Sequence, residues 1–346
     1  MRARLFVVSA VLALSACRDH GQEPAEPSAT VPATASATSP GSATSTSDPV
    51  ASGAATKPTD APTSDTAAPT STAPVEAQEH TWRWKDSPVG PMVVVVSVPR
   101  TAEKLPVLIA MHGLGESEKG PERGARGWLD DYRLDKALER LAEPPLNEAD
   151  YQRLGGSSRR GELNAVLSAH PYEGLILVMP YTPNILEPDR SLDGADALGE
   201  FLVEQVLPKV HEQTPALTDP ESTGIDGVSL GGRAALLVGL AHPDRFGVVG
   251  TLQAAVYPHE IDGIVSRVKS ARTRDAKQQL RLLTSSGDFY RGTLTKLSKA
   301  LTEERLDHHF VVVEGPHAYA FNRGPGVYEM LLFHDRALRS PLQIVP

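Results

Sequence analysis

The 346-residue chain has one cysteine, Cys17. No intramolecular disulfide can form, so any fold must stand on its packed core, and a Cys-rich metal site is excluded. A cationic excess is missing too: 34 Lys and Arg stand against 43 Asp and Glu, a formal net charge of -9. Setting aside residues 1–16, which carry Arg2 and Arg4 and no acid, makes the balance more negative still. Nucleic-acid binding rests on neutralising phosphates, so this charge argues against it. The apolar run Leu5–Leu14, interrupted by Ser9, is too short to cross a bilayer as a helix. From residue 18 to about 80 apolar side chains nearly vanish; beyond alanine there are only Val31, Val50 and Val75. Such a stretch cannot build a core. Nicotinamide and flavin fingerprints are missing, and nothing in the sequence requires a metal or other cofactor.

What is present divides the chain into three. Met1-Arg-Ala-Arg4 is basic, a short apolar run follows, and Leu14-Ser15-Ala16 sets small residues before Cys17. That is the pattern of a secretory signal peptide. Leu-Ser-Ala-Cys resembles the bacterial lipoprotein signature, and the resemblance implies cleavage after residue 16 and lipidation of Cys17. Several acyl chains on one residue would anchor it stably to a membrane. Arg18 follows the cysteine, where enterobacterial inner-membrane retention uses aspartate, and this favours the outer membrane. Residues 17–80, built from Ala, Thr, Ser and Pro, read as a disordered tether spanning roughly 45 Å. Residues 81–346 read as the folded domain.

Trp82 and Trp84 alternate with polar residues, and Met92–Val98 is β-branched and apolar, so both read as strands. Leu105–Met111, Leu175–Met179, Gln279–Leu283 and Phe310–Val313 read as further strands. Between them, Leu198, Phe201, Leu202, Val206 and Val210 share one helical face, and Pro208 is expected to kink or end that helix. Leu294, Leu297 and Leu301 mark another helix. Strands alternating with helices predict an α/β fold, a mainly parallel sheet with helices on both faces and the two early strands as an antiparallel edge.

Gly227-Val-Ser229-Leu-Gly231 is the chemically pointed motif. In a chain with 28 glycines such a match arises by accident roughly one time in six, so context must carry it. Ser222–Ile225 reads as a strand end, and Leu230–Ala241 is rich in helix formers before Pro243. Strand, tight turn and helix is the setting of a nucleophile elbow, in which a strained turn lifts a serine hydroxyl clear of the sheet at a helix N-terminus. Bulky side chains at Gly227 or Gly231 would collide with the neighbouring backbone. The stretch Gly227–Gly250, with Gly-Gly after the serine and a His-Pro-Asp-Arg-Phe turn, resembles the esterase D-like esterases, a group that includes enterochelin-esterase-like and feruloyl-esterase-like enzymes. The likeness spans roughly residues 100–335 and implies an α/β-hydrolase fold with a Ser-Asp-His triad.

In that fold the acid and the histidine follow the serine, at the carboxyl ends of strands. The histidines after Ser229 are His242, His259, His308, His309, His317 and His334: His317 follows the Phe310–Val313 strand through Glu-Gly-Pro, His308 and His309 precede it, His242 ends the elbow helix, and His334 in the last helix is the rival base. Asp288 follows the Gln279–Leu283 strand, with Glu314 the weaker alternative, whereas Asp226 precedes the serine. Ser229 is thus the expected nucleophile, His317 the base and Asp288 its orienting acid. The oxyanion donors are expected to be the Leu230 N–H and, following the His112-Gly113 pair as the resemblance implies, the Leu114 N–H. His112 itself is expected to orient its loop. The long segment 116–172 is expected either to lean over the pocket or to pack as core, with Trp128, Tyr132 and Tyr181 as possible liners and Gly155–Arg160 as a mobile stretch. Arg233 and Asp226 beside the elbow are expected to form a surface ion pair, with substrate binding as the alternative. The expected activity is hydrolysis of a small-molecule carboxylic ester by a lipid-anchored, exported enzyme. A peptidase or acyltransferase of the same fold and a non-catalytic hydrolase-like binding protein are the alternatives, since fold alone does not choose among them.

Overall fold

Side chains alternate across a strand, so a strand buried on both faces needs an apolar residue at every position. Met92–Pro99 (β2) meets that demand at all but one buried position, Ser97: Val94, Val96 and Val98 enter one core cluster, Val93 and Val95 the other. Val107–Met111 (β3) meets it throughout, with Val107, Ile109 and Met111 on one side and Leu108 and Ala110 on the other. The computed structural model describes residues 77–187 and 189–339. The signal, Cys17 and almost all of the tether lie outside the described residues.

With Ala77–Trp84 (β1), Ile176–Pro180 (β4), Thr223–Gly227 (β5), Val248–Leu252 (β6), Gln279–Gly287 (β7) and His309–Pro316 (β8), these strands form one sheet in the order β1-β2-β4-β3-β5-β6-β7-β8. Every pairing from β4 to β8 is parallel; β2 runs antiparallel to both β1 and β4. The expected antiparallel edge is there, and the first strand begins at Ala77 rather than Thr81.

One face is covered by the helices Leu230–Ala241, Ile261–Arg274 and Arg291–Glu303 and by the helical stretch 196–213. The other is covered by Leu134–Ala142, Ser157–Ala169 and Val327–Ala337. Two expectations change here. Pro208 does not end its helix: a π turn, Leu202–Val206, distorts the helix just before it, and the Leu207 N–H reaches back to the Leu202 carbonyl. The wider turn shifts the carbonyl that a proline ring would strike and leaves its missing N–H without cost. Gly155–Arg160 is not plain loop: Gly155 and Gly156 take φ of +78° and +68°, Ser157 opens a helix, and Arg159 pairs with buried Glu329 at 2.6 Å. The 116–172 segment supplies the core of the second face, where Trp128, Tyr132, Leu141 and Leu163 are all buried. No described helix is long and apolar enough to cross a membrane.

Candidate active site

β5 ends at Gly227, and the helix Leu230–Ala241 starts three residues later, so the chain must reverse in the width of two residues. Ser229 carries the turn at φ 56°, ψ -112°, a conformation few non-glycine residues adopt. The flanking glycines make it possible. A Cβ at Gly227 would lie 2.5 Å from the Gly231 carbonyl group, and one at Gly231 would lie 2.4 Å from the Met111 oxygen. The Val228 N–H donates to the Met111 carbonyl at 3.1 Å, which pins the elbow to the end of β3.

Asp288 and His317 come from the loops after the adjacent strands β7 and β8. His317 Nδ1 lies 2.8 Å from Asp288 Oδ1. An ionised carboxylate only accepts, so Nδ1 carries the proton here, and in the neutral ring Nε2 is the nitrogen with the free lone pair. Asp288 is held in turn: Thr284 Oγ1 donates to Oδ2 at 2.6 Å and the Tyr290 N–H to Oδ1 at 2.9 Å.

The stretch after β6 joins the elbow to the histidine loop. The Ser229 N–H donates to the Leu252 carbonyl, and the Ala255 N–H donates back to the Ser229 carbonyl. Between them, buried Gln253 sits at φ 50° and gives its amide to Ser285 Oγ at 2.6 Å and to the Pro316 carbonyl at 3.0 Å, one residue before His317. Sequence reading missed Gln253, because a lone Gln after a strand carries no motif. It also missed Phe289, whose ring lies 4.2 Å from that of His317 while remaining 62% exposed. The adjoining Asp288 was the available signal.

Leu114 and Leu230 are each the first residue of a helix, where a backbone N–H has no intrahelical acceptor. A Cβ on Gly113 would lie 3.6 Å from the Val228 carbonyl, so the His112–Leu114 loop lies against the elbow. His112 is buried beneath it. The Thr182 N–H donates to Nε2 at 2.8 Å, which leaves Nδ1–H to donate to the Gly113 carbonyl at 2.9 Å. Burial holds this imidazole neutral and brings its pKa down to about 4. A histidine whose folded pKa lies below its unfolded value stabilises the fold fully above about pH 6.5, and that contribution is lost as pH falls toward 4. The gap corresponds to about 3 kcal/mol. Asp335, raised to about 6 by burial, acts in the opposite sense over part of this window. The measurement is therefore a comparison: urea unfolding at pH 7.5 and 4.5 for wild type and His112→Gln. The variant should lose markedly less stability on acidification; an equal loss would refute the assignment.

The other sequence candidates separate from the site. His334 is fully buried and bonded at 2.9 Å to Asp226, itself 3.5 Å from Arg281, on the sheet face that carries the last helix. His308 bonds Ser298 Oγ at 2.8 Å, His242 caps the far end of the elbow helix, and His259 stacks on Tyr257. Glu314 is exposed on β8. Arg233 and Asp226 form no surface pair: both are buried, in separate networks, Arg233 with Glu260 at 2.6 Å. Trp128 and Tyr132 are core residues, while Tyr181 is half-buried and donates to the Ser117 carbonyl at 3.0 Å.

A mostly parallel sheet, a serine on a strained strand-to-helix turn and a histidine–aspartate pair at neighbouring strand ends are features of the α/β-hydrolase fold. Residues 171–313 match the family described as Putative esterase. Solved structures share the fold, among them the following three. A ferulic acid esterase is 17% identical with TM-score 0.57, over 76% of this chain and 99% of that one. The S-formylglutathione hydrolase of Staphylococcus aureus is 14% identical with TM-score 0.53, over 75% and 100%. The enterobactin esterase of Shigella flexneri is 18% identical with TM-score 0.50, over 75% of this chain and 59% of that one. The chain thus shares the fold of these esterases, and its residues 171–313 carry the esterase match.

Proposed function

We propose that Ser229, His317 and Asp288 form a catalytic triad that cleaves a small-molecule carboxylic ester through an acyl-enzyme. The observation that carries this reading is the 2.8 Å His317–Asp288 bond, which fixes the tautomer with Nε2 as acceptor. Nε2 takes the Ser229 proton as Oγ attacks the ester carbonyl. The negative charge on the tetrahedral oxygen meets the Leu230 and Leu114 N–H groups, each such donor being worth about 3 kcal/mol of barrier. Asp288 stabilises the imidazolium, which then gives its proton to the departing alcohol. Water attacks the acyl-enzyme with His317 again as base, releasing the acid and restoring Ser229. The test is a substrate pair: p-nitrophenyl acetate should turn over with a burst of nitrophenol at high enzyme concentration, and a matched peptide p-nitroanilide should not. Preferential cleavage of the anilide would overturn the ester assignment.

The chemistry is further proposed to occur outside the cytoplasm, on a chain anchored through lipidated Cys17. The support is the signal pattern and the position of the single cysteine. A clickable fatty acid fed to expressing cells should label the wild-type chain and leave Cys17→Ala unlabelled. Equal labelling of both would remove the anchor from the proposal.

A further inference from the structure

Glu116 has no part in the chemistry proposed above, yet its carboxylate is buried and both oxygens are in use. Oε1 accepts from the Tyr319 hydroxyl at 2.6 Å. Oε2 accepts a short hydrogen bond from the buried Tyr132 hydroxyl, which accepts the Gly113 N–H at 3.2 Å. Lys119 Nζ lies 3.5 Å from Oε1 and closer, at 2.6 Å, to Asp131. Two loops 203 residues apart therefore meet on one carboxylate. One loop is His112–Ser117, which carries the Leu114 N–H; the other is the turn after β8, where Tyr319 stands two residues past His317.

The surrounding backbone is cut to fit this arrangement. A Cβ on Gly115 would lie 2.8 Å from the Tyr319 hydroxyl, and one on Gly113 3.1 Å from the Tyr132 hydroxyl. A Cβ on Gly127 would lie 2.5 Å from Glu116 Cγ. The Tyr132 bond also occupies the Gly113 amide, so the next amide along, that of Leu114, is the one this loop can offer an oxyanion.

We propose that Glu116 is a positioning residue: through Tyr132 it sets the oxyanion loop and through Tyr319 the general-base loop, so that the Leu114 N–H and His317 keep a fixed separation. This rests on the triad and oxyanion reading. A transition state demands both groups at once, and misplacing one by about 1 Å costs on the order of 100-fold in rate. Ground-state binding makes no such demand, so the clamp acts on kcat rather than on KM.

The test uses Tyr319→Phe, which removes one half-buried hydroxyl, with Glu116→Gln and the double variant. Steady-state turnover of p-nitrophenyl acetate and the rate of Ser229 labelling by a fluorophosphonate are measured, with thermal melting as the control for folding. Tyr319→Phe and Glu116→Gln are each expected to lower kcat by about 10- to 100-fold with KM within about threefold, and to slow labelling in parallel. The double variant should fall no further than the worse single, because both substitutions open the same link. Folded Tyr319→Phe with kcat within threefold of wild type, or losses that multiply in the double variant, would overturn the clamp. Should Glu116→Gln not fold, the Tyr319→Phe result alone decides. The underlying reading is checked separately by Ser229→Ala. If that variant still labels, the triad fails; if it is inert while Tyr319→Phe is unaffected, only the clamp fails.

Discussion

Ser229→Ala is expected to lower kcat/KM for a p-nitrophenyl ester by about 10⁴- to 10⁶-fold without unfolding the domain. The nucleophile and its base act as a unit, so His317→Ala should cost about as much, and the two together little more than either alone. Asp288→Asn should cost less, on the order of 10⁴-fold, because it disturbs the tautomer and leaves the nucleophile in place. The same residue offers a second readout that separates chemistry from architecture. Ser229 is held at φ 56°, a conformation that costs a non-glycine residue roughly 1–3 kcal/mol. Glycine relieves that strain, and its greater freedom in the unfolded chain offsets part of the gain. Ser229→Gly should therefore be inactive yet at least as stable as wild type, by up to about 2 kcal/mol in urea unfolding. An inactive and clearly destabilised Ser229→Gly would mean that the serine is there to hold the turn.

The features readable in the sequence were those written in local pattern. The valines of β2, the helix formers after Ser229 and the glycines around it each obey a short-range rule: an unbroken β-branched run, helix propensity, and contact too close for a Cβ. Asp288 and His317 were legible because each follows an apolar strand, and parallel strands deliver their ends to one side of the sheet. Other features depend on which strands and helices meet. Pro208 was expected to kink or end its helix, and no sequence rule announces the π turn that lets the helix run on. Arg233 and Asp226 sit seven residues apart beside an elbow and invited pairing. Their partners, Glu260 for one and His334 with Arg281 for the other, come from distant elements on opposite faces of the sheet. Burial follows from topology, and a charged residue with a buried partner reads the same in sequence as one in water. Glu116 is the same case: its two tyrosines, Tyr132 and Tyr319, lie 16 and 203 residues away.

Arg233→Ala is expected to be among the most destabilising single changes outside the apolar core, at about 3–5 kcal/mol. The guanidinium is 1% exposed and grips both oxygens of Glu260, at 2.6 and 2.7 Å. It also donates to the carbonyls of Arg190, Ser191 and Ala255 at 3.1–3.2 Å, so one side chain in the first turn of the elbow helix ties down two loops. Removing it strands the Glu260 charge in a dry site and leaves three carbonyls without that donor. For a domain of this size the loss corresponds to a fall in melting temperature of about 10 °C. The double variant Arg233→Met/Glu260→Leu distinguishes the two costs. It removes the stranded charge, and apolar replacements of a buried pair are often neutral in themselves. It does nothing for the carbonyls. It should therefore recover part of the single-variant loss and remain below wild type by roughly 1–3 kcal/mol, the cost of leaving buried acceptors unpaired. Recovery to full wild-type stability would show that the carbonyl bonds contribute nothing. A single variant within 1 kcal/mol of wild type would show that water reaches Glu260 and that the pair is not buried in solution.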